Sequence, residues 1–388
     1  MENIDAICEF FTFRFVLGDK TFYIDHKIPE IDITYRIEEK PTTWKDTSKA
    51  LENSVIETCQ KANHPCMLLS GGMDSRIIAG IIAENNFDIP CYTIGTIKKE
   101  IAVSKAIAET LKLRHIVLTL PKPHELLDYN VLRTIALHTM GTLSIPYFLW
   151  RTLALKRVKA QSFVTALYAT ELWADWITPK SKSLIDFCNM VYETRCRVQT
   201  LRKQYHQKAL SNLLKYGESL DIKSAYYETY IKSRARTELY TVDKKPILTP
   251  FLNSEVLSST FSLPIEMRQY KRINHLIIKH KFPKLASIPD VLPLKSKNKP
   301  LIYVKKKIRQ VLNLRRKDAF DVDHLFRNNS DLKKYIRRGI PSISNKKICE
   351  NVIDCFYNKK MDISKPMSCF LSYFFLKGET QTLQSVKD

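Results

Sequence analysis

Cys66-Met67-Leu68-Leu69-Ser70-Gly71-Gly72-Met73-Asp74-Ser75-Arg76 is the stretch whose reading decides the fold. Its first four residues are a short apolar run of the kind a buried strand needs. Two adjacent glycines follow. Nine glycines among 388 residues is far below the usual ~7%, so a Gly-Gly pair marks a point where the backbone needs room. The next stretch, Ile77–Glu84, has apolar residues at helical spacing and ends at Asn85-Asn86. The segment therefore reads as strand, glycine turn, helix. At the head of such a helix the backbone N–H groups are unpaired and the dipole is positive, which suits a phosphate. Ser70 and Ser75 add hydroxyl donors. Asp74 would repel a bare phosphate, so it is expected to hold Mg²⁺, which bridges to phosphate oxygens. The Gly-Lys-Ser/Thr ending of a Walker A loop is missing.

Working outward, Ile89–Gly95 reads as a second strand, Ile101–Leu111 as a helix, and Ile116-Val117-Leu118 as a third strand. Strands alternating with helices predict a parallel twisted sheet with helices on both faces. Thr47–Ala62 has helical spacing, with Leu51, Val55, Ile56 and Cys59 on one face. Phe10–Asp25 reads as short extended segments around a Gly18-Asp19-Lys20 turn, because Phe11, Phe13, Phe15 and Leu17 alternate. Beyond Leu126 helices dominate. Ser162–Leu167 is a further strand, preceded by a helix at Tyr147–Val158. Ser183–Leu276 reads as several helices, interrupted at Lys244-Lys245-Pro246 and at Pro250. The predicted division is an extended N-terminal arm over 1–45, an α/β domain over 46–290 and a basic helical segment over 291–388.

The chain carries 62 Lys and Arg against 40 Asp and Glu, a formal charge of +22. Between Val291 and Asp388 stand 22 of the basic and 9 of the acidic residues. Such a segment suits nucleic acid, anionic lipid or an acidic partner, and equally a plain solvated lysine-rich surface. The hydrophobic fraction of 44% excludes a wholly disordered, collagenous or coiled-coil chain. Nine scattered cysteines show no C-x-x-C pair, which fits reduced thiols. An acidic start and the lack of a long apolar run point to a cytoplasmic protein without a membrane span.

The Ser70–Ser75 loop resembles the pyrophosphate loop of the N-type ATP pyrophosphatases. Several surrounding stretches are similar to the synthetase domain of the asparagine synthetases: Phe13–Thr21, Tyr92-Thr93-Ile94-Gly95, the helix with Ala102, Ala106 and Leu111, Pro250-Phe251-Leu252-Asn253, Leu263-Pro264 and Lys271. The resemblance implies an ATP- and Mg²⁺-dependent ligase that adenylates a carboxylate, releases pyrophosphate and forms an amide with ammonia or an amine. It implies nucleotide contacts at Leu68, Ser70, Gly71, Gly72, Asp74, Ser75, Ile94 and Gly95. It further implies metal ligation by Asp74 and Glu171, and catalytic roles for Lys271 and Glu171.

The departures from that family matter as much. About 45 residues precede the synthetase-like part, and Cys8 is not at the start, so glutamine hydrolysis is not expected. A separate glutaminase is then the partner that would supply ammonia. The family's Gly-Glu-Gly-Ala-Asp-Glu stretch aligns with Ala166-Leu167-Tyr168-Ala169-Thr170-Glu171. Leu167 stands where the family has a base, and Thr170 where it has a metal-binding Asp. Glu171, Asp175 and Tyr168 are the nearby replacements. His275 stands at a family Arg, and Arg76, in place of a small residue, could pair with phosphate or cap its own helix. Two competing readings stay open: a non-catalytic nucleotide-binding scaffold, and a tRNA-modifying pyrophosphatase, against which the missing cysteine pair counts.

Overall fold

The structure, a computed structural model, describes residues 3–13, 15–21, 42–94, 98–118, 131, 134–135, 152, 154–173, 181–195, 203–239 and 243–290. Gly95, Asp175 and the whole basic segment from 291 lie outside them, as does most of the helix expected before Val158.

Among the described residues, five short strands form one all-parallel sheet: β1 (Pro65–Leu68), β2 (Cys91–Ile94), β3 (His115–Leu118), β4 (Ser162–Val164) and β5 (Ile247–Leu248), in the order β3-β2-β1-β4-β5. Met67 stands opposite Cys91, and Cys66 opposite Phe163. Side chains alternate across the sheet. Met67, Leu69, Cys91 and Val164 enter the larger core, while Cys66 and Phe163 enter a smaller one on the other face. Both faces are apolar, as a parallel sheet requires. Strand order reverses between β1 and β4, and in such sheets ligands bind beyond the strand ends at that switch point.

β5 was not foreseen. It is two residues long, directly after Pro246, and is held by Phe163 N donating to Pro246 O at 3.0 Å. A run that short carries no periodicity to read.

Helix α1 (Ile4–Phe13) overturns the extended reading of the start of Phe10–Asp25. The alternating phenylalanines mislead because Phe10 and Phe13 share a helix, while Phe15 and Leu17 follow it in a non-strand segment. All four are buried, and Phe13, Phe15 and Leu17 join the main core. The expected turn is present, with Gly18 at φ +63, where glycine alone is unstrained. Buried Glu9 ties it down: its carboxylate accepts from Leu17 N at 2.9 Å, from Asn212 Nδ2 at 2.8 Å and from Lys20. Burial is the largest influence on Glu9 and pushes its carboxyl up, against those donors.

The helices that matter for the site are α2 (Trp44–Lys61), α3 (Met73–Glu84), α4 (Lys98–Leu111), α5 (Ala169–Trp173), α6 (Leu184–Arg195), α7 (Lys203–Gly217), α8 (Ser233–Glu238), α9 (Ser254–Ser262), α10 (Arg272–Lys281) and α11 (Pro283–Ala286). Among the described residues no helix is long and apolar enough to cross a membrane.

α3 is buried nearly all round, from Met73 to Ile82 except at Asp74. α10 lies beside it in the same direction, since Asp74 meets Asn274 at one end and Glu84 approaches Lys281 at the other. Gly80 permits that approach. A Cβ there would lie 2.7 Å from the Phe282 ring, which is itself buried. Gly80→Ala is therefore expected to destabilise the fold by about 1–3 kcal/mol through overpacking. Denaturant unfolding would measure it, and Phe282→Leu in the same chain should return part of the loss.

Candidate functional site

β1 ends at Leu68, and Leu69–Gly72 carry the chain from the carboxyl end of this central strand into α3. The loop is braced from inside. Ser75 Oγ accepts from Ser70 N at 3.1 Å, lies 2.8 Å from Ser70 Oγ, and donates towards Ser70 O at 2.9 Å. Ser75 is buried and so serves as an internal brace, whereas Ser70 is half-exposed. The N-cap of α3 is Gly72, and no side chain caps it. Free N–H groups at the head of a helix are an anion site by construction. Gly72 has φ −80 and ψ 160, an ordinary extended conformation, so the backbone angle does not demand glycine there. What glycine provides is open space above the loop.

Asp74, on the first turn of α3, is where three distant segments meet. Its Oδ2 accepts from Lys271 Nζ at 2.6 Å and from Thr170 Oγ1 at 3.1 Å, and its Oδ1 accepts from Asn274 Nδ2 at 2.6 Å. Lys271 Nζ also donates to Thr170 Oγ1 at 3.1 Å. Thr170 comes from α5, just beyond β4. Lys271 and Asn274 come from the head of α10. The positive ends of α3 and α10 therefore converge beside Asp74, because the two helices run parallel. Tyr168, Tyr270 and Lys271 all take left-handed backbone angles, at φ 69, 55 and 59. Such residues are strained unless the surroundings hold them, and they gather at functional sites.

Of the residues singled out from sequence, Ser70, Gly71, Gly72, Asp74, Ser75 and Lys271 come together here. Leu68 and Ile94 lie with Tyr92, Leu118 and Leu167 as half-buried apolar side chains packed against the smaller core. They form an apolar shelf over the ends of β1, β2 and β3. Gly95 falls outside the described residues. Glu171 follows Thr170, yet its carboxylate accepts from Arg234 Nη1 at 3.0 Å, and its carbonyl accepts from Tyr226 Oη at 2.8 Å.

Arg234 also donates to Glu238 at 3.2 Å and lies over the rings of Tyr168 and Tyr230. Tyr168 Oη donates to Glu238 at 2.5 Å. Tyr226 and Tyr230, which contact this network, come from a π-helical segment, Tyr226–Lys232, that stacks one ring on the other. Trp173 anchors the other side of α5, packing edge-on against Phe251 and donating to Thr260 at 3.1 Å. Thr170 is thus held in place from both flanks.

Sequence reasoning missed Asn274 and Arg234, neither of which lies in a recognisable motif. It also left Arg76 between phosphate pairing and capping. Arg76 does neither. Its guanidinium is buried and donates to Leu285 O (3.1 Å), Ile288 O (2.8 Å), Pro289 O (3.2 Å) and Gly71 O (3.4 Å). It buckles the loop to the chain that leaves α11. His275, half-buried, has no hydrogen-bond partner at Nε2 among the described residues.

Five cysteines are described, all free and buried. Burial pushes Cys8 and Cys188 up to about 11, and Cys59, Cys66 and Cys91 up to about 12. These thiols stay protonated near neutral pH and are poor nucleophiles. His115, at the start of β3, shares a hydrogen bond of 2.8 Å with Thr93 Oγ1, and burial lowers its pKa.

Residues 46–167, about a third of the chain, match the family model described as asparagine synthase. They span β1, the loop, α3, and the strands up to β4 and Leu167. No curated protein matches the chain.

Arg76→Met keeps the bulk of the side chain but removes the hydrogen bonds its guanidinium gives to the carbonyls of Gly71, Leu285, Ile288 and Pro289. It should cost at least about 2 kcal/mol, since buried hydrogen bonds from a charged group are worth more than neutral ones. Hydrogen exchange should then quicken at 285–290 and in the 70–75 loop before it quickens in the sheet.

Proposed function

We propose that the chain is an ATP-dependent ligase that adenylates a carboxylate and converts it to an amide, a reading supported by the match of residues 46–167 to the asparagine synthase model. The observation that carries the reading is the meeting of Asp74, Thr170 and Lys271 at the switch point of the sheet, beside the head of α3, which no side chain caps. ATP would lay its phosphates over Ser70–Asp74 and its adenine on the apolar shelf of Leu68 and Ile94.

Mg²⁺ suits this donor set. It takes one or two carboxylates plus phosphate oxygens, and Asp74 offers one carboxylate with the Thr170 hydroxyl beside it. Among the described residues no three His, Cys, Asp or Glu side chains gather into a cage, which suits an ion carried in by phosphates. When bound, the ion draws charge from the phosphate oxygens. Lys271 and the heads of α3 and α10 neutralise the charge that builds on the leaving pyrophosphate. An oxygen of the acceptor carboxylate attacks the α-phosphorus, and the bond from that phosphorus to pyrophosphate breaks. The amine nitrogen then attacks the acyl carbon, AMP leaves, and the nitrogen loses its proton.

Leu167, a half-buried apolar side chain, cannot take that proton. Glu171, next to Thr170 on α5, is the proposed carboxylate for the second step and a second contact for the metal, once Arg234 shares it. Ammonia would come from a separate glutaminase or from solution, and the protein would work in the cytoplasm.

The test is pyrophosphate release from ATP and Mg²⁺ across a panel of carboxylates and amines. Asp74→Asn and Lys271→Ala should each lower the rate by about 10²-fold or more, the usual cost of losing one charge-stabilising group. ATP binding without pyrophosphate release from any acceptor would favour the non-catalytic scaffold instead.

Gly72→Ala separates the loop's two roles. The angles are ordinary and the new Cβ would lie 3.4 Å from Ser70 Oγ, an ordinary contact, so stability should change by less than about 0.5 kcal/mol. Calorimetric affinity for ATP should still fall at least tenfold, because the methyl group fills the space meant for phosphate.

A further inference from the structure

Both oxygens of Asp74 are engaged, and by partners of different kinds. Asn274, fully buried on α10, grips Oδ1 at 2.6 Å. Lys271 Nζ sits on Oδ2 at 2.6 Å, on the more open side, where the lysine side chain is 25% exposed and Asp74 14%. The ammonium thus stands where a cation bound to Asp74 would stand, between the carboxylate and the Thr170 hydroxyl. The backbone that delivers it is left-handed at both Tyr270 and Lys271, a conformation non-glycine residues adopt only when held. The partners of Lys271 here are Asp74 and the Thr170 hydroxyl. Asn274 is different. Its Oδ1 has no hydrogen-bond partner among the described residues, so the amide is oriented by Asp74, and turning it over would set oxygen against oxygen.

We propose that Lys271 takes the divalent cation's place on Asp74 until nucleotide binds, and that Asn274 is the positioning residue that keeps the carboxylate aimed during the exchange. The inference rests on the ligase reading of the same site and adds an order of binding. The metal enters with the nucleotide, because phosphates supply both the missing oxygen ligands and a new partner for the lysine. A free divalent ion has to compete with an ammonium tethered within the same site.

The test uses the full chain without nucleotide and Mn²⁺ as the probe, with bound and free ion counted by electron paramagnetic resonance. The wild type should bind Mn²⁺ weakly. Lys271→Met should bind it at least tenfold more tightly, since Asp74 is then unmasked, and adding Asp74→Asn should abolish the gain. Adding Asn274→Ala to Lys271→Met should remove most of the gain and broaden the bound spectrum, an effect a purely structural asparagine would not have in a chain that melts normally. Lys271→Gln serves as a second unmasking variant if the Met variant does not fold.

Equal Mn²⁺ affinity in the wild type and Lys271→Met, including no binding by either, overturns the proposal. A gain that survives Asp74→Asn overturns it as well. A gain untouched by Asn274→Ala removes the role given to Asn274. Nucleotide binding without the Mn²⁺ shift would leave the ligase reading standing and sink this one. The shift without any nucleotide binding would sink the ligase reading and the order of binding with it, leaving only the masking of Asp74 by Lys271.

Discussion

A carboxylate at the head of a buried helix has to be answered by charge and hydrogen bonds, and Asp74 is answered from the far end of the described chain. Lys271 and Asn274 lie 197 and 200 residues away in sequence. They arrive because α10 packs alongside α3 in the same direction, which Gly80 permits by leaving room for Phe282. That packing brings two helix heads to one point, directly above the place where strand order reverses. The Arg76 buckle fastens the chain after α11 back to the carbonyl of Gly71. The loop, the carboxylate and the two helices therefore form one unit, and the strain at Tyr270 and Lys271 is held within it.

The parts of this arrangement that could be read from sequence are those with local physics. β1 and its loop were legible because a short apolar run followed by glycines has few alternatives in a glycine-poor chain. β2, β3, β4, α2, α3 and α4 were legible from periodicity and spacing. β5 was not, since two residues after a proline carry no pattern. α1 was misread because four apolar positions at alternate spacing also fit a helix whose end unwinds at Phe15. Asn274 and Arg234 had no local signal at all. Their roles come from partners brought near by helix packing, and a buried asparagine in an amphipathic helix looks like any other polar residue. Arg76 was legible as an anomaly beside the loop, but its carbonyl partners at 285–289 were not.

The flank beyond β4 carries a different kind of constraint. Tyr168 is held left-handed with its hydroxyl on Glu238, Glu171 is held by Arg234, and Trp173 is locked into the core. Between them Thr170 has little freedom, and its hydroxyl bridges Asp74 and Lys271. A carboxylate at position 170 would place a second anion against Lys271 and hold the ammonium between two charges. Threonine leaves it with one. At the effective dielectric of a partly exposed site, removing one of two close anions weakens the hold on a cation by a few kcal/mol at most. That is on the scale a phosphate can replace through charge-assisted hydrogen bonds. Under the proposed exchange, threonine at position 170 leaves the site with fewer anionic ligands for a metal and, by the same token, a weaker hold on its lysine.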